Sequence, residues 1–280
     1  MKMQRNYSFP STATLAAGIL TLTALAGPAR VQAQDAKPED KKPEEKKGWE
    51  TSANAGVALA RGNSKSFLAT MGLNSARKWL KDEALLGASG GYGENTDVQR
   101  ADGQPDKTTK NADYLKGFGQ WNRLFSEKFY GGLRLDAIHD DIADVNYRFT
   151  LSPLLGYYFI KHASTTLAAE VGPSFIYEQV GGDESSYVGA RLAERFEHKF
   201  KSGARIWQTA EIIPQVDDVE NFIFNFELGV EAPLSKKSSL RVVLQDAYDN
   251  QPAVASGPAP GTHYKLKNDL KLIAGLSYKF

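Results

Sequence analysis

From Gly48 onward, hydrophobic and polar positions alternate with a period of two, as expected of strands with one face in an apolar environment. The last segment shows it most plainly. Leu266, Leu270, Leu272, Ala274, Leu276, Tyr278 and Phe280 share one parity, and Lys267, Asp269, Lys271, Ser277 and Lys279 share the other. Phe222, Phe224, Phe226, Leu228 and Val230 alternate with Asn225, Glu227 and Glu231. Tyr147, Phe149, Leu151, Leu155, Tyr157 and Phe159 alternate with Asn146, Arg148, Thr150 and Ser152. Helical i, i+3, i+4 spacing is scarce. The alternation predicts twelve strands near 49–60, 66–78, 83–93, 110–123, 128–138, 146–159, 165–178, 186–198, 204–215, 222–233, 239–248 and 265–280. Most are long enough for the roughly 9–11 tilted residues that cross a bilayer.

The connectors sort by rank. Every second one is short, around Leu80, Ser126, Lys161, Lys201 and Ser235, and together these short turns carry an excess of bases. The connectors between them are more acidic and include two long polar loops, 94–109 and 249–264. Short turns on one rim and longer loops on the other are expected of outer-membrane barrels. A secreted β-sandwich also alternates, but its strands are typically only about 5–6 residues long. Aromatic residues gather near predicted strand ends (Trp49, Trp79, Trp121, Tyr130, Tyr157, Tyr158, Tyr248, Tyr278), as an interfacial girdle requires. The expected fold is therefore all-β: a transmembrane antiparallel up-and-down β-barrel of the bacterial outer membrane, of about twelve strands, over 48–280. Two residues sit badly in it. Glu194 and Asp246 fall on the apolar parity, where a charge is costly at mid-membrane and tolerated nearer a rim.

Composition alone points elsewhere. Hydrophobic residues make up 41% of the 280, and beyond the N-terminal leader no apolar run approaches the roughly 18 needed for a spanning helix. That would suit a soluble protein whose apolar residues are inside. Lys and Arg number 34 against 33 Asp and Glu, which argues against a nucleic-acid footprint, and the lack of cysteine excludes disulfides and thiolate metal sites. The N-terminus changes the picture. Lys2 and Arg5 precede an apolar run from Ala13 to Ala26, and Val31-Gln32-Ala33 offers small residues for cleavage. Residues 1–33 read as a secretory signal peptide. Residues 34–47, with balanced acids and bases and two prolines, read as a disordered charged linker.

Several stretches are shared with a known family. They are GWETSANAGVALARGNSKS from Gly48, Tyr92-Gly93-Glu94, the region from Asn122 through Asp140 to Tyr157, and Ala169-Glu170-Val171-Gly172-Pro173. Together they resemble the YdiY-like family of salt-induced outer-membrane proteins (domain of unknown function 481). The resemblance spans Trp49 to Phe280 and implies an outer-membrane β-barrel in a Gram-negative bacterium, with no established substrate or reaction.

If the apolar parity faces lipid, the other parity lines a lumen. It carries Arg134, Asp136, Arg148, Glu170, Arg191, Arg195, Arg205, Glu211, Glu227, Glu231, Arg241, Lys267, Asp269 and Lys271. Barrels of about eight strands fill with side chains and those of about sixteen leave a channel, so about twelve predict a narrow polar lumen. These charges either line a pore for small hydrophilic solutes or ions, or cross-link the wall as a ladder of ion pairs in a non-conducting structural or envelope-stress barrel. Surface binding through loops 94–109 and 249–264 is a third class. Asp140, Asp141 and Asp144, and Asp217, Asp218 and Glu220, match no calcium-loop spacing, and solvation explains them without a metal. A lipid hydrolase needs a nucleophile activated by a histidine. Of His139, His162, His198 and His263, only His139 beside Asp140 stands where a base would, with no serine to serve and only Thr109 as an unusual alternative. No catalytic residue, metal or cofactor is expected. The expected partners are outer-membrane lipid and lipopolysaccharide, together with the barrel-assembly machinery, for which the terminal Phe280 would be the signal.

Overall fold

Alternating side chains pair into strands whose two faces meet different surroundings, and here each wall strand pairs with the next wall strand along the chain. The structure, a computed structural model, describes residues 48–61, 64–97, 107–255 and 263–280. The signal-peptide and linker readings lie outside the described residues. Twelve long antiparallel strands form the wall: β1 (Glu50–Arg61), β2 (Ser64–Lys78), β3 (Asp82–Asp97), β4 (Lys107–Leu124), β5 (Phe129–Asp140), β6 (Val145–Lys161), β7 (Thr165–Val180), β8 (Asp183–Lys199), β9 (Arg205–Pro214), β10 (Phe222–Pro233), β11 (Ser238–Asp249) and β14 (Asn268–Lys279). β14 pairs with β1 through contacts such as Ser52 with Lys279 and Val57 with Ala274, which closes the barrel. A small hairpin of β12 (Val254–Ala255) and β13 (His263–Tyr264) stands apart from the wall in the β11–β14 connection.

Two differences from the sequence reading have a physical cause. Residues 94–97 and 107–109, read as loop, extend β3 and β4, and Thr96 and Thr108 pair by their hydroxyls at 2.9 Å. Above a membrane both faces of a strand meet water, so the period of two fades while backbone pairing continues. Residues 265–267, read as strand, instead tie the long connection together: the Lys265 N–H donates to the Ala253 carbonyl at 2.8 Å and the Asp249 N–H to that of Lys267 at 2.8 Å.

The outward face is apolar. Val57, Met71, Leu115, Leu155, Val171, Leu192 and Leu272 are all exposed, the reverse of a water-soluble domain. Aromatic rings flank this band in two groups. Trp49 with Trp79, Phe125 with Phe129, Tyr157 with Phe159 and Tyr278 with Phe280 lie toward the short turns. Tyr147 with Phe149 and Tyr177, and Phe222 with Tyr248, lie toward the long loops. On β6 the step from Tyr147 to Tyr157 is about 33 Å of strand, which at a tilt of about 40° covers about 25 Å, the height of an outer-membrane apolar band. Tyr130 and Tyr158 do not join the girdle. They point inward, 0% and 5% exposed, and with Leu154 and Ala168 make a small internal core.

Glu194 and Asp246 do face outward. Glu194 pairs with Ala169 and Ala210, and Asp246 with Phe226 and Leu270, with no bulge to turn either away. Asp246 accepts a hydrogen bond from the Asn268 amide at 2.5 Å and lies near the loop end of β11, where the cost of a charge fades.

Candidate functional site: the barrel interior

Inward positions alternate with the apolar ones, so each strand contributes a column of side chains to a shared interior. The residues read from sequence as lumen-lining lie on this inward parity, except Lys267, which precedes β14 in the long connection, and the structure brings most of them into three groups.

The central group is built on Glu170 of β7, whose side chain is 0% exposed. One carboxylate oxygen accepts from the Gln120 amide at 2.8 Å, the Tyr130 hydroxyl at 2.9 Å and the Arg195 guanidinium at 2.8 Å. The other accepts from Arg191 at 2.9 Å, and Arg191 also donates to Glu211 at 2.6 Å. Gln120 in turn accepts from Arg134 at 3.2 Å, and Arg134 grips Asp136 with two bonds at 2.8 and 2.7 Å. Arg134, Asp136, Glu170, Arg191, Arg195 and Glu211 thus form one connected network across β4 to β9. A dry interior makes such pairs strong once formed and costly to break. Beside it, the Tyr158 hydroxyl donates to Glu83 at 2.6 Å.

The second group lies toward the short turns. Arg205 bridges Glu197 at 3.1 Å and Glu231 at 2.9 Å. The Trp207 indole N–H donates to Glu227 at 2.6 Å, whose other oxygen accepts from Gln245 at 2.8 Å. The Arg205 and Arg241 guanidinium carbons lie 4.5 and 5.2 Å from the Trp207 ring, within cation–π range.

The third group lies toward the long loops. Arg148 of β6 is paired with Glu178 of β7 and, at 2.9 Å, with Asp249 of β11. β6 and β11 are five strands apart in a circuit of twelve, so the Arg148–Asp249 pair is a chord across the lumen. Lys271, paired with Asp269, reaches from β14 to within 4.5 Å of the Tyr114 ring on β4. Lys267 donates to Asn250 at 2.8 Å. The β11–β14 connection also leans over the mouth: the Lys265 ammonium donates to the Ile142 carbonyl, in the β5–β6 turn, at 3.0 Å.

Gln120, Tyr130, Tyr158, Glu83, Trp207, Glu178 and Asp249 complete these groups and were missed in the sequence. Five share the parity of a recognised residue on their own strand, such as Glu178 with Glu170 and Asp249 with Arg241, so following parity instead of charge density would have found them; Gln120 and Glu83 lie on β4 and β3, where no lumen residue was recognised.

The acidic clusters act as turn caps. Asp140 accepts from the N–H groups of Ile142 and Ala143 at 3.1 and 3.0 Å, and Asp218 from that of Glu220 at 3.2 Å. Among the described residues, no group of His, Asp and Glu is arranged to hold a metal. His139 is outward, with one ring nitrogen 2.8 Å from the Asn146 carbonyl and the other 3.2 Å from Asp141. His198 is 2.8 Å from the Thr165 hydroxyl at the turn end and stacks edge-on against Phe200.

Phe280, the residue read as an assembly signal, donates its N–H to the Thr51 carbonyl at 3.1 Å and exposes its ring.

These features define the class: a closed twelve-stranded antiparallel barrel, apolar outside and polar within, of the kind that crosses a membrane with strands. The chain belongs to the family described as "Protein of unknown function, DUF481", whose model matches residues 53–280. A comparison with curated proteins finds no match. Among solved structures, the NanC porin is 9% identical with a TM-score of 0.47, over 82% of this chain and 100% of that one. The KdgM porin is 8% identical with a TM-score of 0.43, over 82% and 99%. An outer membrane channel from Pseudomonas putida F1 is 10% identical with a TM-score of 0.43, over 88% and 100%.

Proposed function

We propose that the protein is an outer-membrane barrel of a Gram-negative bacterium whose interior is a narrow channel for small hydrophilic solutes or ions. The observation that carries this reading is the asymmetry of the interior. The half formed by β4 to β10 is filled by interlocked large side chains. The opposite wall presents small neutral ones: Ser52, Asn54 and Gly56 on β1, Thr70 and Gly72 on β2, and Ser89 on β3. A small cavity of about 40 Å³ lies against that wall, lined by Asn54, Thr70, Ser89, Gln245 and Arg241 together with Val243 and Ile273. The geometry therefore supports an eccentric, narrow path beside a rigid network, crossed toward the loops by the contact of Lys271 with the Tyr114 ring.

A specific observation favours the second reading, a non-conducting structural or salt-stress barrel: the Arg148–Asp249 chord and the connection leaning over the mouth obstruct the loop end. Planar-bilayer recordings of the folded protein separate the two. Discrete small steps are expected, larger or longer-lived in Arg148→Gln, which releases the chord. If neither protein gives steps, the structural reading stands and the channel falls.

The reading assigns no catalytic step. It assigns the outward face to lipid and lipopolysaccharide, and the Phe280 ring to recognition by the barrel-assembly machinery. Phe280→Ala is expected to lower the yield of folded protein in the membrane fraction, and an undiminished yield would remove that role.

A further inference from the structure

The interior carboxylates described above are all satisfied. Glu83, Asp136, Glu170, Glu211, Glu227 and Glu231 each accept from a hydroxyl, amide, indole or guanidinium, and Glu178, Glu197, Asp249 and Asp269 each hold a cation. Two interior cations are not. Among the described residues, Arg241 and Lys116 have no acceptor within hydrogen-bond reach, only rings: Arg241 lies 5.2 Å from Trp207 and Lys116 lies 5.3 Å from Tyr114. A guanidinium carries five donors, and the carboxylates nearest Arg241 are committed elsewhere: Glu231, opposite it in the ladder, is held by Arg205, and Glu227 by Trp207 and Gln245.

The cavity in the open half joins these two places. Arg241 and Tyr114 both line it, with Asn54, Thr70, Ser89 and Gln245, and no carboxylate does. Lys116 follows two residues after Tyr114 on the same inward parity. Amide, hydroxyl and guanidinium donors around a small space, with a guanidinium and no carboxylate in the lining, favour a small anion over a cation. About 40 Å³ is room for a monatomic anion with little water.

We infer that this cavity is a halide-class anion site, with Arg241 as its principal ligand and Lys116 as the flanking charge, so that the open half of the lumen passes small inorganic anions in preference to cations. The inference rests on the channel reading for its transport part, but the site itself does not need conduction.

Two measurements on the folded full-length barrel test it. The first is the reversal potential in a potassium chloride gradient across a planar bilayer. A several-fold preference for chloride is expected, reduced in Arg241→Gln and in Lys116→Gln, close to unity in the double variant, and retained in Arg241→Lys. Lys236→Gln, in an exposed turn, serves as the control and leaves the preference unchanged. The second is thermal unfolding in detergent with chloride or bromide against gluconate at equal ionic strength. Halide-specific stabilisation is expected in the wild type and Arg241→Lys and lost in Arg241→Gln. Steps without anion preference, together with no halide-specific stabilisation, overturn the inference and leave the channel standing. Halide stabilisation without any steps keeps the site and overturns the channel. Absence of both overturns both.

Discussion

Glu170 shows how much one residue can hold in this interior. Its carboxylate neutralises Arg191 and Arg195 and accepts from Tyr130 and Gln120, with no access to solvent. Glu170→Gln keeps the shape and removes the charge, leaving Arg195 without a counter-ion and Arg191 with Glu211 alone. Breaking a buried pair in this way costs about 3–5 kcal/mol, so the urea midpoint of the reconstituted barrel should fall markedly. Glu220→Gln, on the rim, should change it by no more than about 0.5 kcal/mol. Equal midpoints for the two variants would show that the central network is not dry. Glu170 was legible as a lumen residue because a charge between Ala169 and Val171 announces its parity. Its partners were not. Tyr130 and Tyr158 stand near strand ends, where an aromatic fits a membrane girdle equally well, and only parity with Arg134 and Ser152 separates inside from outside.

At the scale of the strands, register creates a motif that no linear pattern reveals. Four inward aromatic rings each lie directly opposite a glycine on the adjacent strand: Phe118 on Gly87, Tyr114 on Gly91, Tyr130 on Gly156 and Trp207 on Gly229. The bare glycine backbone leaves the ring room to lie flat along the wall, turned toward its partners in the lumen. A Cβ at Gly156 would sit 2.1 Å from the Tyr130 ring, so the ring must move and give up its bonds to Glu170 and Arg195. Gly156→Val should destabilise the barrel by about 1–3 kcal/mol, the usual range for overpacking. Gly117→Ala, whose Cβ would meet nothing closer than 3.6 Å, should be nearly neutral by the same unfolding measurement. Similar effects would mean that glycine acts here only through strand propensity. The number of wall strands was readable from the alternation because each crosses the apolar band. The tall ends of β3 and β4 were not, because polar residues that pair above a membrane look like loop.

The whole molecule inverts the usual placement of its apolar residues, and this is why composition alone suggested a soluble protein while periodicity predicted a barrel. Side-chain period in a strand is two, so a slip of one residue would exchange the two faces of a strand completely. The four tryptophans give a direct measure of that choice. Trp121 is outward and 50% exposed, while Trp207 is inward, 8% exposed and bonded to Glu227. In liposomes containing lipids brominated on their acyl chains, a protein retaining only Trp121 should be strongly quenched, and one retaining only Trp207 should keep most of its emission. Trp207 has a charged partner and two arginines around its ring, so its emission should instead respond to Glu227→Gln. Quenching of Trp207 equal to that of Trp121 would place β9 the other way round. Arg205 and Glu211, which share its parity, would then be moved to the lipid face, at a cost that is small at the rim where Arg205 stands and grows toward mid-membrane, and the interior network could not exist as described. The polar network and the apolar exterior are thus one commitment of the same register, and a single tryptophan reports on both.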